Sequence, residues 1–316
     1  MHKKVLFLDT VHRSLENQLR QHDFQCDHDY ESSSIQLQSK LSEYEGIVIR
    51  SRVKLDQNLL QHATNLKFIA RAGAGLENID TEYCLKKNIQ VFPANEGNRD
   101  AVAEHAMGML LALLNRLCIV NQEVRKGIWL RAENRGTELM GKTIGIIGYG
   151  HTGEAFAKRL SGFGMTILAH DKYKSNFGSE HVIEVDLKTI QEQADIISLH
   201  LPLSKETANY CDESFINSCK KNFYLVNTAR GNLISSKTLL GALHSGKIIG
   251  ACLDVYDLEK SSFTSLEALE QHPEWKAIIE SDKVLLSPHI AGWTHESHQK
   301  LSEVLARKIL RFYKLS

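Results

Sequence analysis

Short runs of apolar residues alternate along this chain with segments of helical periodicity, a pattern that few folds accommodate. Most of the runs are apolar throughout, as strands buried on both faces are. Strands that alternate with helices form parallel sheets, because a parallel pair of strands needs a crossover connection. We therefore predict the α/β class, with two Rossmann-like, doubly wound parallel-sheet domains. The predicted strands of the first domain are Val5–Leu8, Ile47–Ile49, Phe68–Ala70 and Gln90–Phe92, and those of the second are Thr143–Ile147, Thr166–Ala169, Asp195–Leu199, Tyr224–Val226, Ala251–Leu253 and Val284–Leu286.

A long apolar segment, about Asp100 to Leu117, separates the two groups of strands and has apolar residues at helical spacing. A second helix is predicted near the end of the sequence, about Glu296 to Tyr313. If the chain crosses between the domains through these two helices, the first domain is discontinuous. We expect residues 1–98 plus 291–316 in the first domain and residues 99–290 in the second.

The charge balance and the cysteines exclude several classes of function. The 38 basic and 38 acidic side chains cancel, so neither nucleic acid nor an acidic membrane surface is expected as a partner. The six cysteines are scattered, without a CxxC pair or metal-ligand spacing to a histidine, so no metal site is expected. The apolar runs Val5–Leu8 and Met107–Leu114 are too short for a signal-peptide core or a membrane span, and a cytoplasmic protein is expected.

The segment with three glycines that follows the predicted strand Ile144–Ile147 has the pattern of a dinucleotide-binding loop. Gly148 permits a tight turn, Gly150 lets the main chain approach a pyrophosphate, and Gly153 allows close helix–strand packing. A helix is predicted at Glu154–Leu160, and the N–H groups at its start would bind phosphate. The glycine pattern alone is a weak signal, but between a strand and a helix it predicts a bound dinucleotide.

Asp171 follows the next predicted strand, at the place where an acidic residue binds the ribose hydroxyls of NAD. A carboxylate there repels the 2′-phosphate of NADP, so NAD is the predicted cofactor. Lys172 and Lys174 lie close to Asp171 in the sequence and keep NADP open as an alternative.

Three polar segments follow predicted strands of the second domain, where ligands bind in doubly wound sheets. They are N-T-A-R-G at 227–231, D-V-Y at 254–256 with a glutamate shortly after it, and S-P-H at 287–289. With these motifs, and over essentially its whole length, the chain resembles the D-isomer-specific 2-hydroxyacid dehydrogenase family. The resemblance implies hydride transfer between NAD(H) and C2 of a small 2-hydroxy or 2-keto acid, with Arg230, Glu259 and His289 as the catalytic residues.

This combination of side chains suits the chemistry. Oxidation of an alcohol removes a hydroxyl proton as hydride leaves C2, and a histidine titrates in the working pH range. Glu259 would orient the ring of His289 and stabilise its protonated form. Arg230 offers a forked cation to the substrate carboxylate and the keto oxygen. Each residue alone is more often an ordinary turn or surface residue, and their combination on a dinucleotide domain supports the interpretation.

The resemblance also implies further contacts, among them Asp254 as the acceptor for the nicotinamide carboxamide. Other cofactor contacts are implied at Tyr149, His151, Thr152, His200, Pro202, Thr207, Asn227, Thr228, Ala229, His289 and Gly292. Substrate contacts are implied at Arg50, Ser51, Ala74, Gly75, Asn98, Arg230, His289 and Trp293. Main-chain amides near Gly75 would hold the substrate carboxylate.

Several positions depart from the family pattern. Lys260 stands where proline is usual, and an extra helix is predicted around Leu266–Ile279. His151 replaces an arginine inside the glycine loop, and either contacts the pyrophosphate or faces solvent. Trp293 stands where a small residue is common, and either walls the substrate pocket or is simply packed.

The substrate and the assembly stay open at the level of sequence. Arg50 and Arg52 could bind a phosphate, which favours D-3-phosphoglycerate. The alternatives are a glyoxylate or hydroxypyruvate reductase, and a non-catalytic NAD-sensing protein like the corepressor branch of this fold. Glu259 argues against a formate dehydrogenase, where a glutamine is expected. The apolar helix at about Asp100–Leu117 and the segment after it resemble the family's dimer arm, so a homodimer is expected.

Overall fold

The structure is a computed structural model that describes residues 3–259 and 272–315. Contacts within the chain define two compact units, Met1–Arg99 with Trp293–Ser316 and Asp100–Gly292. The first unit is therefore discontinuous in sequence. The divisions expected after residues 98 and 290 lie one and two residues before those that the contacts define.

The first unit is built on a five-stranded sheet whose strands are all parallel, in the order β2-β1-β3-β4-β5. Its strands are β1 (Lys3–Phe7), β2 (Phe24–His28), β3 (Gly46–Ile49), β4 (Phe68–Arg71) and β5 (Gln90–Pro93), and its helices are α1 (Arg13–Gln21), α2 (Ser34–Gln38), α3 (Gln57–Leu60), α4 (Thr81–Lys86) and α12 (His295–Phe312). Leu19 of α1 and Leu305 of α12 belong to the apolar cluster on one face. Leu37 of α2 and Leu59 of α3 belong to the cluster on the other face, so helices cover both sides of the sheet.

The second unit contains a seven-stranded parallel sheet in the order β12-β11-β10-β9-β6-β7-β8. Its strands are β6 (Thr143–Ile147), β7 (Thr166–His170), β8 (Ile183–Glu184), β9 (Ile196–Leu199), β10 (Phe223–Asn227), β11 (Ile248–Leu253) and β12 (Val284–Leu286). Its helices are α5 (Arg99–Leu114), α6 (Leu117–Arg125), α7 (His151–Leu160), α8 (Leu187–Gln193), α9 (Glu213–Ser218), α10 (Ser236–His244) and α11 (Pro273–Ile279).

The direction in which strands are added to this second sheet reverses at β6. The chain first adds β7 and β8 on one side of β6, and then adds β9 to β12 on the other side. Helices α5 and α7 cover one face through side chains such as Leu110 and Phe156. Helices α8 to α11 cover the opposite face through side chains such as Phe215 and Trp275. Ligands of doubly wound sheets bind beyond the carboxyl ends of the strands at such a reversal.

The predicted fold class is confirmed, and every predicted strand is present with its ends within three residues of the prediction. Two strands were missed. In β2, Phe24 and Cys26 are buried whereas Gln25 is exposed, so the segment lacks the continuous apolar run on which the prediction relied. The other, β8, has only two residues, and both are exposed at the sheet edge.

The helix predicted at about Asp100 to Leu117 is present as α5, but it ends three residues earlier, at Leu114, and a second helix, α6, begins at Leu117. The side-chain amide of Asn115 donates to the carbonyl oxygen of Leu111 at 3.1 Å, in competition with helical hydrogen bonding. Arg116 then adopts a left-handed conformation with φ +52°. Of the described helices, none alone is long and apolar enough to cross a membrane, and only α5 with α6, bent by 58°, reach that length and composition together.

The extra helix predicted around Leu266–Ile279 falls partly on residues 260–271, which lie outside the described residues, as does Lys260. The part that is described contains α11, which has a proline in its first turn. Trp275 and Ile278 of α11 are buried in the same apolar cluster as Leu239 of α10.

Candidate active site

The three glycines of the predicted cofactor loop, two before α7 and one in its first turn, have different structural requirements. Gly148 has φ +93°, and a Cβ there would lie 2.6 Å from the carbonyl oxygen of His200. A Cβ on Gly153 would lie 2.2 Å from the carbonyl oxygen of Gly148. Gly150 is the N-cap of α7, and no atom lies within 4 Å of the position a Cβ would take. Gly148 and Gly153 are thus required by the fold of the loop, whereas Gly150 leaves the start of α7 open.

Asp171 directly follows β7. Its side chain connects the glycine loop to the loop in which Asp171 itself lies. Its carboxylate accepts hydrogen bonds from the main-chain N–H groups of Tyr149 at 2.8 Å, Tyr173 at 2.9 Å and Lys174 at 3.0 Å. Burial alone would raise the pKa of Asp171, but these three donors outweigh it and hold the pKa below its usual value. The carboxylate is therefore ionised at neutral pH, as the predicted contact to ribose hydroxyls requires.

Lys172 and Lys174, which kept NADP as an alternative cofactor at the level of sequence, both have partners within the protein. The ammonium group of Lys172 forms an ion pair with Glu206, which also accepts a hydrogen bond from the phenol of Tyr173. Lys174 donates from Nζ to the carbonyl oxygen of Tyr149 at 2.9 Å. Neither ammonium group is left as an unpaired cation beside Asp171.

His200 and the turn after it lie at the end of β9, next to the glycine loop. One ring nitrogen of His200 lies 2.9 Å from the hydroxyl of Ser198, and the other lies 3.3 Å from the hydroxyl of Thr152. Burial lowers the pKa of His200 to about 4, so its ring is neutral at physiological pH. Thr207 donates from its hydroxyl to the carbonyl oxygen of Pro202 at 2.6 Å, which closes the turn.

The segment after β10 is organised by Asn227, which is fully buried. Its side-chain amide donates to the carbonyl oxygen of Arg230 at 2.9 Å, and its side-chain oxygen accepts from the N–H of Ala229 at 3.2 Å. The guanidinium of Arg230 donates to the carbonyl oxygen of Ala229 at 2.7 Å. The hydroxyl oxygen of Thr228 is buried and has no hydrogen-bond partner in the described part of the chain. A buried polar atom without a partner indicates a ligand or water contact.

Asp254, directly after β11, holds the loop that follows β12. The carboxylate accepts hydrogen bonds from the hydroxyl of Ser287 at 2.6 Å, from the N–H of Ile290 at 2.9 Å and from the N–H of Ala291 at 2.8 Å. Its side chain is only 1% exposed. The phenol of Tyr256 adds a hydrogen bond to the carbonyl oxygen of Ser287. A carboxylate has about four acceptor sites, so three donors leave one for the carboxamide contact that the sequence predicts.

His289 lies in the centre of this held loop. Its Nδ1 is hydrogen-bonded to the carboxylate of Glu259. The side chain of Glu259 is 16% exposed and that of His289 is 37% exposed, so the pair is half-buried but reachable. An ionised carboxylate only accepts, so Nδ1 carries the proton and Nε2 is left for a reacting oxygen. The main chain of His289 has φ +54°, a left-handed conformation that costs about 1–2 kcal/mol for a residue with a side chain.

The segment that carries Arg230 packs against the one that leads to Glu259. A Cβ on Gly231 would lie 1.9 Å from the main-chain carbonyl of Tyr256, so these two loops touch through their backbones. The carboxylate of Asp257 accepts a hydrogen bond from the N–H of Ser236 at 2.7 Å at the start of α10. The three predicted catalytic residues therefore lie on three adjoining loops of the second unit.

In the first unit, Asp9 organises the predicted substrate segment after β3. Its carboxylate accepts from the N–H groups of Arg50 at 2.7 Å, Ser51 at 3.1 Å and Arg52 at 3.3 Å. The guanidinium of Arg50 stacks on the ring of Trp293 at 4.2 Å. Burial lowers the pKa of Arg50, which indicates a partly desolvated cation. The indole is 57% exposed, so Trp293 is not simply packed.

Arg52 has a different role from the one that the sequence suggested. Its guanidinium donates to the carbonyl oxygens of Leu8 at 2.7 Å, Asp29 at 2.9 Å and Ser32 at 2.8 Å. These bonds tie three loops of the first unit together. Arg52 is thus a structural residue, and the argument for a phosphate bound by two arginines loses one of them.

The loop after β4 has donors without acceptors. Within residues 3–259 and 272–315, no hydrogen bond is found for the N–H groups of Ala74 and Gly75. The side-chain oxygen of Asn98 is buried without a partner in the same part of the chain. Adjacent free amides are the groups that bind a carboxylate, as the sequence predicts for this loop.

Comparison with known proteins identifies the family. The model for the D-isomer specific 2-hydroxyacid dehydrogenase, NAD binding domain, matches residues 107–291. The chain belongs to this family. Its members are NAD-dependent oxidoreductases that act on a CH–OH group, and NAD is the cofactor of the matched domain.

Relatives with different names within the family are identical to this chain at about a third of the aligned residues. The D-3-phosphoglycerate dehydrogenase of Archaeoglobus fulgidus is 33% identical over 98% of this chain, which spans 57% of that protein. The hydroxypyruvate reductase of Thermotoga maritima is 34% identical over 87% of both chains. Among solved structures, the D-lactate dehydrogenase of Aquifex aeolicus, complexed with NAD and lactic acid, is 27% identical with a TM-score of 0.81, and covers 99% of this chain and 96% of its own.

The residues of the second unit fit the cofactor of the 2-hydroxyacid dehydrogenases. The start of α7 is open at Gly150, as binding of a pyrophosphate requires. The ionised Asp171 offers an acceptor for ribose hydroxyls, and the hydroxyl of Thr228 is a buried group in need of a partner. The individual contacts implied by the resemblance stay predictions.

Several residues that shape this dehydrogenase site were missed by the sequence analysis. They are Asp9, His105, Glu206, Tyr256 and Ser287. Ser287 and Tyr256 belong to motifs that the sequence analysis quoted, so their position beside His289 could have been noted. His105 could not, because it lies on α5 and pairs with a residue 182 positions away.

The different surroundings of the glycines yield a first prediction. Gly150→Ala should fold with an unfolding midpoint close to that of the wild type but bind NADH at least about tenfold more weakly, because its Cβ points into open space where the pyrophosphate is expected. Gly153→Ala should lower the free energy of unfolding by several kcal/mol, about the cost of overpacking a close contact. Urea denaturation and NADH titration measure both effects, and Gly162→Ala, which also meets nothing within 4 Å, is the control. Normal NADH affinity of Gly150→Ala would contradict the assignment of the loop.

Proposed function

We propose that the protein is a D-2-hydroxyacid dehydrogenase that transfers hydride between NAD(H) and C2 of a small 2-hydroxy or 2-keto acid. The observation that carries this proposal is the hydrogen bond between Glu259 and His289, whose loop is held by Asp254. A histidine whose Nδ1 is held by a carboxylate has the protonation state and the orientation of a general acid–base.

The mechanism assigns a separate task to each side chain. Bound NADH supplies the hydride for C2, and the remaining chemistry is proton transfer and charge stabilisation. In reduction, Nε2 of a protonated His289 donates a proton to the oxygen on C2, and Glu259 stabilises the charged ring beforehand. In oxidation, Nε2 accepts the hydroxyl proton. Arg230 binds the carboxylate of the substrate, which orients C2.

Among substrates, we propose a short unphosphorylated 2-keto acid such as glyoxylate or hydroxypyruvate. The phosphoglycerate prediction relied on Arg50 and Arg52, and the guanidinium of Arg52 is held by three main-chain carbonyls. Arg50 then remains as the single cation of this segment, which is a weaker phosphate site than the two arginines that the phosphoglycerate prediction assumed. Relatives with the names hydroxypyruvate reductase and D-3-phosphoglycerate dehydrogenase match with similar identity, so 3-phosphohydroxypyruvate stays the second candidate.

Turnover assays test the enzymatic proposal. Wild-type protein with NADH should reduce glyoxylate or hydroxypyruvate with higher kcat/KM than 3-phosphohydroxypyruvate. His289→Ala should lower kcat by about 10²–10⁴-fold, the usual contribution of a general acid, while NADH affinity changes by less than about threefold. His244→Ala, at an exposed position of α10, is the control and should match the wild type. NADH binding without turnover of any 2-keto acid would instead support a non-catalytic NAD-sensing protein.

The preference for NAD over NADP should depend on Asp171 and Glu206. Asp171→Ala removes the repulsion of a 2′-phosphate, and Glu206→Gln releases Lys172 from its ion pair. We expect each variant to raise NADPH affinity relative to NADH, and the double variant to shift the ratio further than either single variant, because one change removes a like charge and the other frees a cation for the 2′-phosphate. Separate titrations with NADH and NADPH measure the ratio. An unchanged ratio in the double variant would contradict the ribose role of Asp171.

We also propose that the protein forms a homodimer through the segment from α6 to β6. Helix α6 has no buried residue, and the most exposed apolar side chains around it are Leu117, Val124, Ile128, Trp129, Leu130 and Met140. Monomers rarely expose so many large apolar groups within one short segment. The family resemblance supports a second copy of the chain as the partner.

Substitution of the most exposed indole tests this surface. Trp129→Ser should weaken self-association at least about tenfold, as removal of an aromatic anchor from an interface does. Light scattering after gel filtration at micromolar concentration gives the mass of each species. Leu85→Ser, at an exposed apolar position of α4 in the first unit, is the control and should leave the mass unchanged. A wild-type protein that is monomeric at micromolar concentration would contradict the proposal.

A further inference from the structure

A partly buried chain of hydrogen bonds leads from helix α5 to the loop of His289. The ring nitrogen Nε2 of His105 lies 2.9 Å from the hydroxyl oxygen of Ser287. Ser287 in turn donates to a carboxylate oxygen of Asp254 at 2.6 Å. A hydroxyl has one proton to donate, so Ser287 accepts from His105, and Nε2 of His105 carries a proton. The direction of the chain is therefore fixed, from His105 through Ser287 to Asp254.

The surroundings of His105 support this arrangement. Its side chain is 24% exposed, and its Nε2 lies 3.6 Å from the same carboxylate oxygen that Ser287 contacts. The sulfur of Met109, one turn further along α5, lies 3.5 Å from the hydroxyl of Ser287. Ser287 thus lies between one face of α5 and the carboxylate of Asp254. Of its two possible acceptors, the carboxylate oxygen at 2.6 Å is much stronger than the thioether sulfur at 3.5 Å, so the hydroxyl donates to Asp254.

The loop needs this support because its main chain is strained at His289. The left-handed conformation at φ +54° persists in a residue with a side chain only when the surroundings determine it. The N–H of His289 donates to the carbonyl oxygen of Ser287 at 3.0 Å, and the next two N–H groups, of Ile290 and Ala291, donate to Asp254. Every one of these bonds depends on the position of Ser287 or of Asp254. The conformation of His289 is set by its neighbours on both sides.

We propose that His105 is a positioning residue for His289, acting through Ser287 and Asp254. The proposal rests on the proposed function, in which His289 is the acid–base residue. His105 itself contacts neither of the two groups of the His289–Glu259 pair, and its task is to keep the Ser287 hydroxyl directed at Asp254. Loss of the Nε2 donor would allow Ser287 to turn, and the strained main chain at His289 would relax. The expected loss is in the proton-transfer step and not in the affinity for NADH.

Two substitutions at position 105 separate the donor from the volume of the ring. His105→Leu retains an apolar side chain of similar size without a donor, whereas His105→Gln places an amide N–H near the position of Nε2. We expect His105→Leu to lower kcat at least about tenfold, or about 1.4 kcal/mol in the barrier, and His105→Gln to recover most of that loss. The dissociation constant for NADH should change by less than about threefold in both. Gly108→Ala, on the same helix with open space around its Cβ, is the control.

A second link in the chain gives an independent test. Ser287→Ala should lower kcat to a similar extent, and the double variant His105→Leu with Ser287→Ala should be no slower than the single variants, because both break one chain. This variant keeps the proposal testable if His105→Leu does not fold. Equal impairment of His105→Leu and His105→Gln, additive losses in the double variant, or wild-type kcat in His105→Leu would each overturn the proposal.

A spectroscopic readout distinguishes this proposal from the proposed function. In protein labelled with ¹⁵N-histidine, the Nδ1 proton bound to Glu259 should give a downfield signal that broadens or moves in His105→Leu and is restored in His105→Gln. The signal reports the geometry of His289 whether or not a substrate is turned over. A wild type without turnover would sink the proposed function alone. An unchanged signal in His105→Leu would sink the positioning role alone.

Discussion

The carboxylate of Asp254 is the group on which the arrangement of the site depends. It is almost fully buried, and a buried charge is costly unless several hydrogen bonds compensate it. The loop after β12 supplies these bonds from Ser287, Ile290 and Ala291, and must run close to the end of β11 to do so. That path places His289 in a left-handed conformation within reach of Glu259. His289, the proposed acid–base residue, is thus positioned by the compensation of a buried charge more than by contacts of its own ring.

Within the part of the chain that the structure describes, three aspartates at strand ends accept main-chain hydrogen bonds in this way. Asp9 after β1 accepts from N–H groups that follow β3, Asp171 after β7 accepts from Tyr149 after β6, and Asp254 accepts from residues after β12. In each case the carboxylate and the main chain that it binds belong to neighbouring parallel strands. Loops at the carboxyl ends of parallel strands have unpaired N–H groups, and an aspartate satisfies several of them at once. The predicted cofactor and substrate segments are therefore held by aspartates at strand ends.

The sequence predicted the fold well wherever strands are buried on both faces. The wholly apolar run Thr143–Ile147 was located to the residue, whereas β2 alternates buried Phe24 with exposed Gln25 and was missed. The break between helices α5 and α6 at Arg116 was missed for another reason. The side chain of Asn115 competes for a main-chain carbonyl oxygen, and the spacing of apolar residues carries no information on such a hydrogen bond.

For the site, motifs at fixed spacing predicted the pair of Glu259 and His289, and the structure contains a hydrogen bond between them. Their catalytic role stays a proposal. The sequence could not show which arginine and lysine side chains are already paired with other groups of the protein. Arg52 resembled a phosphate ligand until its three carbonyl acceptors were known, and Lys172 resembled an NADP determinant until its ion pair with Glu206 was known. His105 carries no local signal at all, because its partner Ser287 is distant in the chain. Long-range polar contacts are set by the tertiary fold, and periodicity and motifs do not encode them.

A D-2-hydroxyacid dehydrogenase delivers hydride to C2 of a 2-keto acid with one stereochemical outcome. Incubation with NADH that carries deuterium in the transferred position at C4, followed by mass spectrometry and chiral chromatography of the product, measures this directly. We expect one deuterium at C2 of a D-configured 2-hydroxy acid made from hydroxypyruvate. Reduction of glyoxylate gives glycolate, in which C2 becomes a stereocentre only because of the deuterium. We expect one deuterium at C2 and a single configuration there. Product without deuterium, or with deuterium in the L-isomer, would contradict the proposed function.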